Sequence, residues 1–283
     1  MVETGNGVLI GGFILQGNAS KEVLIRGLGP SLAAFAVANA LSDPLIELHD
    51  STGALIGSND NWRTDFNHGA IPVGLRPSND SESAMDRTLS PGSYTVILKG
   101  AHGQTGVGLF ELYDIGGEGS ALANVSTRGV VQTGDDVMIG GFILKGGVGS
   151  EQRVIVRALG PSLARFGVTN CLPNPEVRLH DANGALVAQN DNWRDTQAAE
   201  IMQSGLAPLN ELESAIILNL PVGSYTAIVS GVGGGTGNGL VEVYALPGGS
   251  TSEHKSAEIT NAALEKDSNS PSPKGSKPGS SRP

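Results

Sequence analysis

A single cysteine, Cys171, occurs in 283 residues. No disulfide can therefore form within the chain, and stability has to come from packing, hydrogen bonds and any bound ions. Aromatic residues make up only 4%, which leaves the interior to Val, Ile, Leu and Ala. No apolar run reaches the roughly 18 residues that a membrane-crossing helix needs. Met1-Val2-Glu3-Thr4-Gly5 carries neither the basic nor the apolar part of a secretory leader. Basic residues are scarce, with 18 Lys and Arg against 28 Asp and Glu and a net charge of −10. The stretch from Gly248 onward holds five basic and four acidic residues, so the rest of the chain carries about −11. That balance speaks against nucleic acid or an anionic membrane surface as a partner.

Motifs for catalysis are lacking as well. There is no His-Glu-x-x-His, no Cys pair and no phosphate-cradling loop. The glycine-rich run Gly231–Gly239 lacks the Lys-Ser/Thr ending and precedes an apolar stretch, so it reads as a hairpin. Ser31 and Ser162 lie in Gly-Pro-Ser-Leu rather than in a Gly-x-Ser-x-Gly elbow. His49-Asp50 and His180-Asp181 are adjacent pairs, and neighbours on a strand point to opposite faces. The expectation is a protein that is not an enzyme; an unrecognised hydrolase would need a cleft where His and carboxylate converge.

What the chain has is a duplication. Asn59-Asp60-Asn61-Trp62-Arg63 returns 131 positions later as Asn190-Asp191-Asn192-Trp193-Arg194. At the same shift Leu28–Leu32 returns as Leu159–Leu163, His49-Asp50 as His180-Asp181, Glu82-Ser83-Ala84 as Glu213-Ser214-Ala215, and Gly92–Thr95 as Gly223–Thr226. Ile10–Phe13 matches Ile139–Phe142 at a shift of 129, so the second copy gained two residues in an early loop. A period this long makes each copy a whole domain rather than a solenoid repeat.

With 41 glycines and no collagen triplet, short alternating apolar stretches punctuated by Gly, Asn, Asp and Pro predict an all-β fold. Strands are expected at Val8–Leu15, Glu22–Arg26, Leu45–His49, Ala54–Gly57, Ser83–Leu89, Ser93–Lys99 and Gly108–Tyr113, with the same series in the second copy. Asp50–Gly53 and Asp181–Gly184 read as hairpin turns. Short helices are expected at Ser31–Ala38 and Ser162–Phe166 with Ser as cap, and at Thr196–Ser204. Seven or eight strands per copy point to two tandem antiparallel β-sandwiches of jelly-roll type. The domains are 1–117 and 118–247, followed by a low-complexity tail, 248–283, whose Ser, Pro, Gly and Lys content predicts disorder. The second copy begins with an extra strand, Leu122–Thr127, for which the first has no room. The expectation is a piece of a longer array with one opening strand missing. The tail segment Ser256–Ala263 is a candidate for lending a strand to a neighbouring chain.

The repeated loop leaves two readings open. Asn59, Asp60, Asn61 and their twins Asn190, Asp191, Asn192 supply the hard oxygens that Ca²⁺ prefers, with Asp50, Asp181 or Glu82 as further donors. Equally, these side chains can make Asx turns while Trp62 and Trp193 cover the sandwich edge. A carbohydrate platform on either Trp is a third use. Arg26 and Arg157 sit in apolar strands and are expected to pair with a Glu, Glu82 or Glu111 in the first copy and Glu213 or Glu242 in the second.

The order Leu-His-Asp-x-x-Gly, Asn-Asp-Asn-Trp, Glu-Ser-Ala, Pro-Gly-Ser-Tyr-Thr-Val and Gly-Leu-x-Glu-x-Tyr resembles bacterial pre-peptidase C-terminal domains over Leu45–Tyr113 and Glu176–Tyr244. The whole unit is similar to tandem modules of large secreted or surface proteins. The resemblance implies β-sandwiches, an extracellular or cell-surface location, bound calcium in some members, and a non-catalytic structural or adhesive role. Expected partners are neighbouring copies, as in a filament, other surface proteins, or extracellular glycan. No peptidase accompanies the modules here, which sets a protease-accessory role apart from the rest.

Overall fold

A computed structural model of the chain describes residues 1–116, 118–134, 136–247 and 259–260. The tail expected to be disordered, 248–283, lies outside these residues except at 259–260, which form a strand. The fold is all-β and antiparallel. The first copy contributes β1 (Leu9–Gly17), β2 (Lys21–Leu28), β3 (Pro44–His49), β4 (Leu55–Asn59), β5 (Ser83–Leu89), β6 (Gly92–Gly100) and β7 (Leu109–Gly116). The second opens with β8 (Ser120–Val131). It continues with β9 (Met138–Leu144), β10 (Glu151–Leu159), β11 (Pro175–Asp181), β12 (Leu186–Asn190), β13 (Ser214–Pro221), β14 (Gly223–Gly231) and β15 (Gly237–Ala245). A two-residue strand, β16 (Ile259–Thr260), follows.

The strands form two facing layers, and the layers do not respect the copy boundary. One sheet of eight strands runs β13-β10-β15-β8-β1-β6-β3-β4. Its seam is β8, which pairs with β15 of its own copy and with β1 of the other. The opposite layer consists of β5-β2-β7 and β12-β11-β14-β9-β16, and β16 lies beside β7 as well as pairing with β9. Exchanging each strand for its twin turns the order of one layer into the order of the other. The duplicated sequence thus gives an interchange symmetry in which each copy contributes to both layers.

Burial follows from the pattern. In β2, Val23 and Ile25 face the shared interior and Leu24 faces outward, yet all three are fully buried because a loop covers the outer face. A strand covered on both sides reads as a continuous apolar run, as Val23-Leu24-Ile25 does. The main core runs through both copies, from Phe13, Ile46 and Leu112 to Leu122, Phe142, Val156 and Val229. Phe13 stacks on Tyr94, and their twins Phe142 and Tyr225 do the same, at 5.2 and 5.4 Å between ring centres. Gly11 explains part of the repeated Ile-Gly-Gly-Phe: a Cβ there would lie 2.2 Å from the Phe110 ring of the facing layer.

The expected helices at Ser31 and Ser162 are corrected. Both are short 3-10 turns, Pro30–Phe35 and Pro161–Phe166, that begin after Gly29 and Gly160 with no side-chain cap. Proline occupies the first position, where its missing N–H costs nothing, and the Ser hydroxyls bond elsewhere. The helix expected at Thr196–Ser204 forms over Ala198–Gln203.

Because one interior serves both copies, urea denaturation should show a single transition. Phe13→Ala and Phe142→Ala should each lower that same transition, by about 3–5 kcal/mol. Two separable steps, each moved by only one of the substitutions, would contradict the shared core.

Candidate functional site

The repeated motifs converge on one polar knot in each copy. Glu82, with 0% exposure, begins the turn into β5. Its Oε1 accepts hydrogen bonds from the Gly29 N–H at 3.1 Å, the Ser31 N–H at 2.9 Å and the Ser31 hydroxyl at 2.5 Å. Its own carbonyl accepts the Trp62 N–H at 2.8 Å. Next in sequence, Ser83 donates its hydroxyl to the Pro44 carbonyl, and the Ala84 N–H donates to Asn59 Oδ1 at 3.0 Å. The Asn59 amide then donates to the Asn61 carbonyl at 2.9 Å.

Glu213 repeats the pattern with Gly160, Ser162 and Trp193, and Asn190 with Ala215 and Asn192. Gly29 and Gly160 are required because the chain passes so close that a Cβ would sit 2.0 or 2.1 Å from the carbonyl oxygen of Leu41 or Leu172. Glu82 and Glu213 were open as partners for Arg26 and Arg157; the structure gives them this other task. Ser31 and Glu82 both recur at the common shift of 131, as Ser162 and Glu213, which marks them as shared by the copies but does not pair them.

Arg26 stands directly across from Glu111 on the β2–β7 ladder, and Arg157 from Glu242 on β10–β15. Each guanidinium bonds its Glu, lies over the ring of Tyr113 or Tyr244, and donates to the carbonyl of Leu75 or Leu206 at 2.6 or 2.7 Å. The phenols donate to the same carboxyls at 3.0 and 3.1 Å. Burial, reinforced by the adjacent carboxyl, pushes both Tyr113 and Tyr244 up to about 12. Lys21 and Asp114 form a further buried pair at 2.6 Å in the first copy, with Gln152 and Ala245 at the matching places in the second.

The candidate calcium donors are split. Asp50 accepts the Thr52 and Ala54 N–H groups and the Thr52 hydroxyl, and the Thr52 hydroxyl bond leads in holding its carboxyl below the usual range. Asp181 does the same for Asn183 and Ala185. Each stands at the far end of a five-residue strand from its Asn-Asp-Asn loop, β4 or β12. The separation is about 13 Å at the usual rise per residue. Asp50 with Asn59–Asn61, and Asp181 with Asn190–Asn192, are therefore not one coordination shell. Asp191 accepts from the Asn192 amide at 2.6 Å. Asp60 lines a hollow of about 380 Å³ together with Thr64, Asp65 and Arg87. Among the described residues no group of three or more His, Cys, Asp and Glu is placed to hold a metal ion.

Trp62 and Trp193 are each 3% exposed. They pack on the outer faces of β2–β5 and β10–β13 against Leu24 and Ala84, or Ile155 and Ala215. Arg63 and Arg194 lie over the indoles at 4.2 and 4.3 Å from their centres. Neither ring offers an open face for a sugar. His49 and His180 brace the hairpins through bonds from Nδ1 to the carbonyls of Gly53 and Gly184. Burial pushes the Cys171 thiol up, and it packs beside Leu159, Leu163 and Val168.

A second hollow, of about 570 Å³, lies where Glu3–Gly7 meets the end of β8 and the loops at Thr169 and Thr236. Its lining is rich in amides and hydroxyls, and Oδ1 of Asn238, a side chain 6% exposed, has no hydrogen-bond partner among the described residues. No protein-family model matches the chain, and no curated protein matches it.

Glu82→Ala removes the acceptor of four buried or part-buried donors, the Gly29, Ser31 and Asn79 N–H groups and the Ser31 hydroxyl, at roughly 1–3 kcal/mol for each one left unsatisfied. Chemical denaturation should show a loss of about 3 kcal/mol or more, and Glu82→Gln, which keeps an acceptor oxygen, should lose less. Alkaline titration gives a second test. A phenol whose folded pKa is raised stabilises the fold fully below the unfolded value of 10.0, and this contribution disappears as pH climbs toward about 12. Absorbance at the tyrosinate band should show Tyr113 and Tyr244 ionising only near pH 12 or with unfolding, and Tyr113→Phe with Tyr244→Phe should remove that late phase.

Proposed function

We propose that the chain is a non-catalytic structural or adhesive module pair of a bacterial surface protein or filament, working outside the cell. The observation that carries this reading is the polar knot. The residues that recur in both copies, and would be the first candidates for chemistry, hold loops to strands through buried hydrogen bonds. The His side chains brace hairpins, and the Ser hydroxyls bond a Glu rather than a base. The resemblance to extracellular β-sandwich modules supplies the location, and the acidic surface suits a secreted protein. Neighbouring copies of the same unit are the natural partners, assembling through strand exchange.

A ligand-binding accessory role is the second reading. The amide-rich hollow with the unpartnered Asn238 oxygen favours a polyhydroxylated ligand such as a glycan, since hydroxyls can satisfy both donors and acceptors there. Calcium bound near Asp60 or Asp191 belongs to the same reading.

Immunogold labelling of intact cells of the producing bacterium should decorate the surface; labelling only after permeabilisation would remove the extracellular reading. Thermal melts in calcium and in chelator should coincide. A rise that saturates with calcium and vanishes in Asp60→Ala or Asp191→Ala would favour the accessory reading instead.

A further inference from the structure

The interchange of the two layers exposes two equivalent strand slots, and they are filled unequally. The first slot lies between β1 and β15. There β8 pairs Ile10–Gly17 of β1 along one edge and Gly237–Tyr244 of β15 along the other, and it sends Leu122, Val125 and Val131 into the core at 3% exposure or less. The second slot lies between β9 and β7, the twins of β1 and β15. Its described occupant is β16, which pairs only Ile259 with Leu144 and Thr260 with Ile143. Among the described residues, the Met138–Phe142 edge of β9 and the outer edge of β7 carry no ladder partner.

The two residents share one pair and part at the next, where the β8 bulge sets Asn124 opposite Ile14 while Thr260 lies opposite Ile143, the twin of Ile14. Leu122 pairs with Leu15 in the first slot, and Ile259 pairs with Leu144, the twin of Leu15, in the second. The sequences read Leu122-Ala123-Asn124-Val125 and Ile259-Thr260-Asn261-Ala262. We propose that the β9–β7 slot is a strand-acceptor site whose full occupant is the opening strand of another unit of this kind, an extended segment with the β8 pattern offered by a neighbouring chain. The tail strand β16 is the resident that such a segment displaces. This deepens the structural-module reading and rests on it.

Three physical facts favour that occupant. Open strand edges pair with any extended backbone of matching length. The side-chain pattern of β8 gives specificity, because its buried positions alternate past the bulge opposite Ile14 and Leu15, and a one-residue slip would turn them to solvent. Among the described residues the resident pairs at two positions of β9, against eight for β8 on each of its edges, so exchange favours the longer ligand.

The test uses the full chain and a fluorescent peptide with the sequence of Ser120–Val131. Anisotropy should show saturable binding, absent for a scrambled peptide of the same composition. Ile143→Cys with Thr260→Cys, in a Cys171→Ala background, places two thiols on directly opposed residues of an antiparallel pair, within reach of a disulfide. Oxidation should lock the tail strand and weaken peptide binding at least tenfold, and reductant should restore it, which separates blocking from misfolding. Absence of saturable binding, equal binding by the scrambled peptide, or binding indifferent to the lock would overturn the proposal. So would failure of the disulfide to form, read as a mass change, since Thr260 would then not lie beside Ile143. Surface labelling of cells is independent of these outcomes, so the extracellular reading and the acceptor site fail separately.

Discussion

Two fully buried carboxyl groups, Glu82 and Glu213, set the constraint on which the rest of each copy depends. A carboxyl removed from water is tolerated only when its oxygens are matched by donors. Here the donors come from a turn more than fifty residues earlier in the chain. Meeting that demand fixes the Gly-Pro-Ser turn against β5 or β13, and the Glu main chain in turn fixes the loop that carries the Trp. The Trp then closes the outer face of β2–β5 or β10–β13. Remove the carboxyl and three separated segments lose their common anchor.

The second device is the Arg–Glu–Tyr cluster on the outer face of the same strands. It is charged and nearly dry, so its net contribution to stability is small relative to the cost of breaking it. Its geometric effect is larger. Each guanidinium reaches the carbonyl of Leu75 or Leu206, which ties the long connection after the Trp loop to a cross-strand pair that cannot shift register. The two copies keep this cluster and the carboxyl knot while differing elsewhere: the buried Lys21–Asp114 pair has no counterpart, and the helix Ala198–Gln203 stands where the first copy has turns.

Much of this was legible in the amino-acid order. Period-two alternation located strands such as β3, which has one face on the core, and continuous apolar runs located β2 and β10, which are covered on both faces. Asp-x-x-Gly marked the β3–β4 and β11–β12 hairpins, because glycine alone accepts φ of +84° and +77° at Gly53 and Gly184 without strain. The separation of Asp50 from Asn59 could also have been read, since a five-residue strand lies between them. Other features were hidden for physical reasons. Ser31 looks like a helix cap locally, but its hydroxyl is drawn to a carboxyl distant in sequence. Periodicity shows which face of a strand is buried but not which edges meet, so nothing in it told that β8 would join both copies into one sheet.

That join has a mechanical consequence. β8 runs antiparallel to both of its neighbours, so β1 and β15 run parallel to each other on either side of it. The polypeptide enters β1 near Leu240 of β15 and leaves β15 near the far end of β1. Tension carried through those two strands would therefore pull along the ladders, straining their hydrogen bonds together in shear. A zipper, loaded at one end, gives way bond by bond; this seam has to yield all at once.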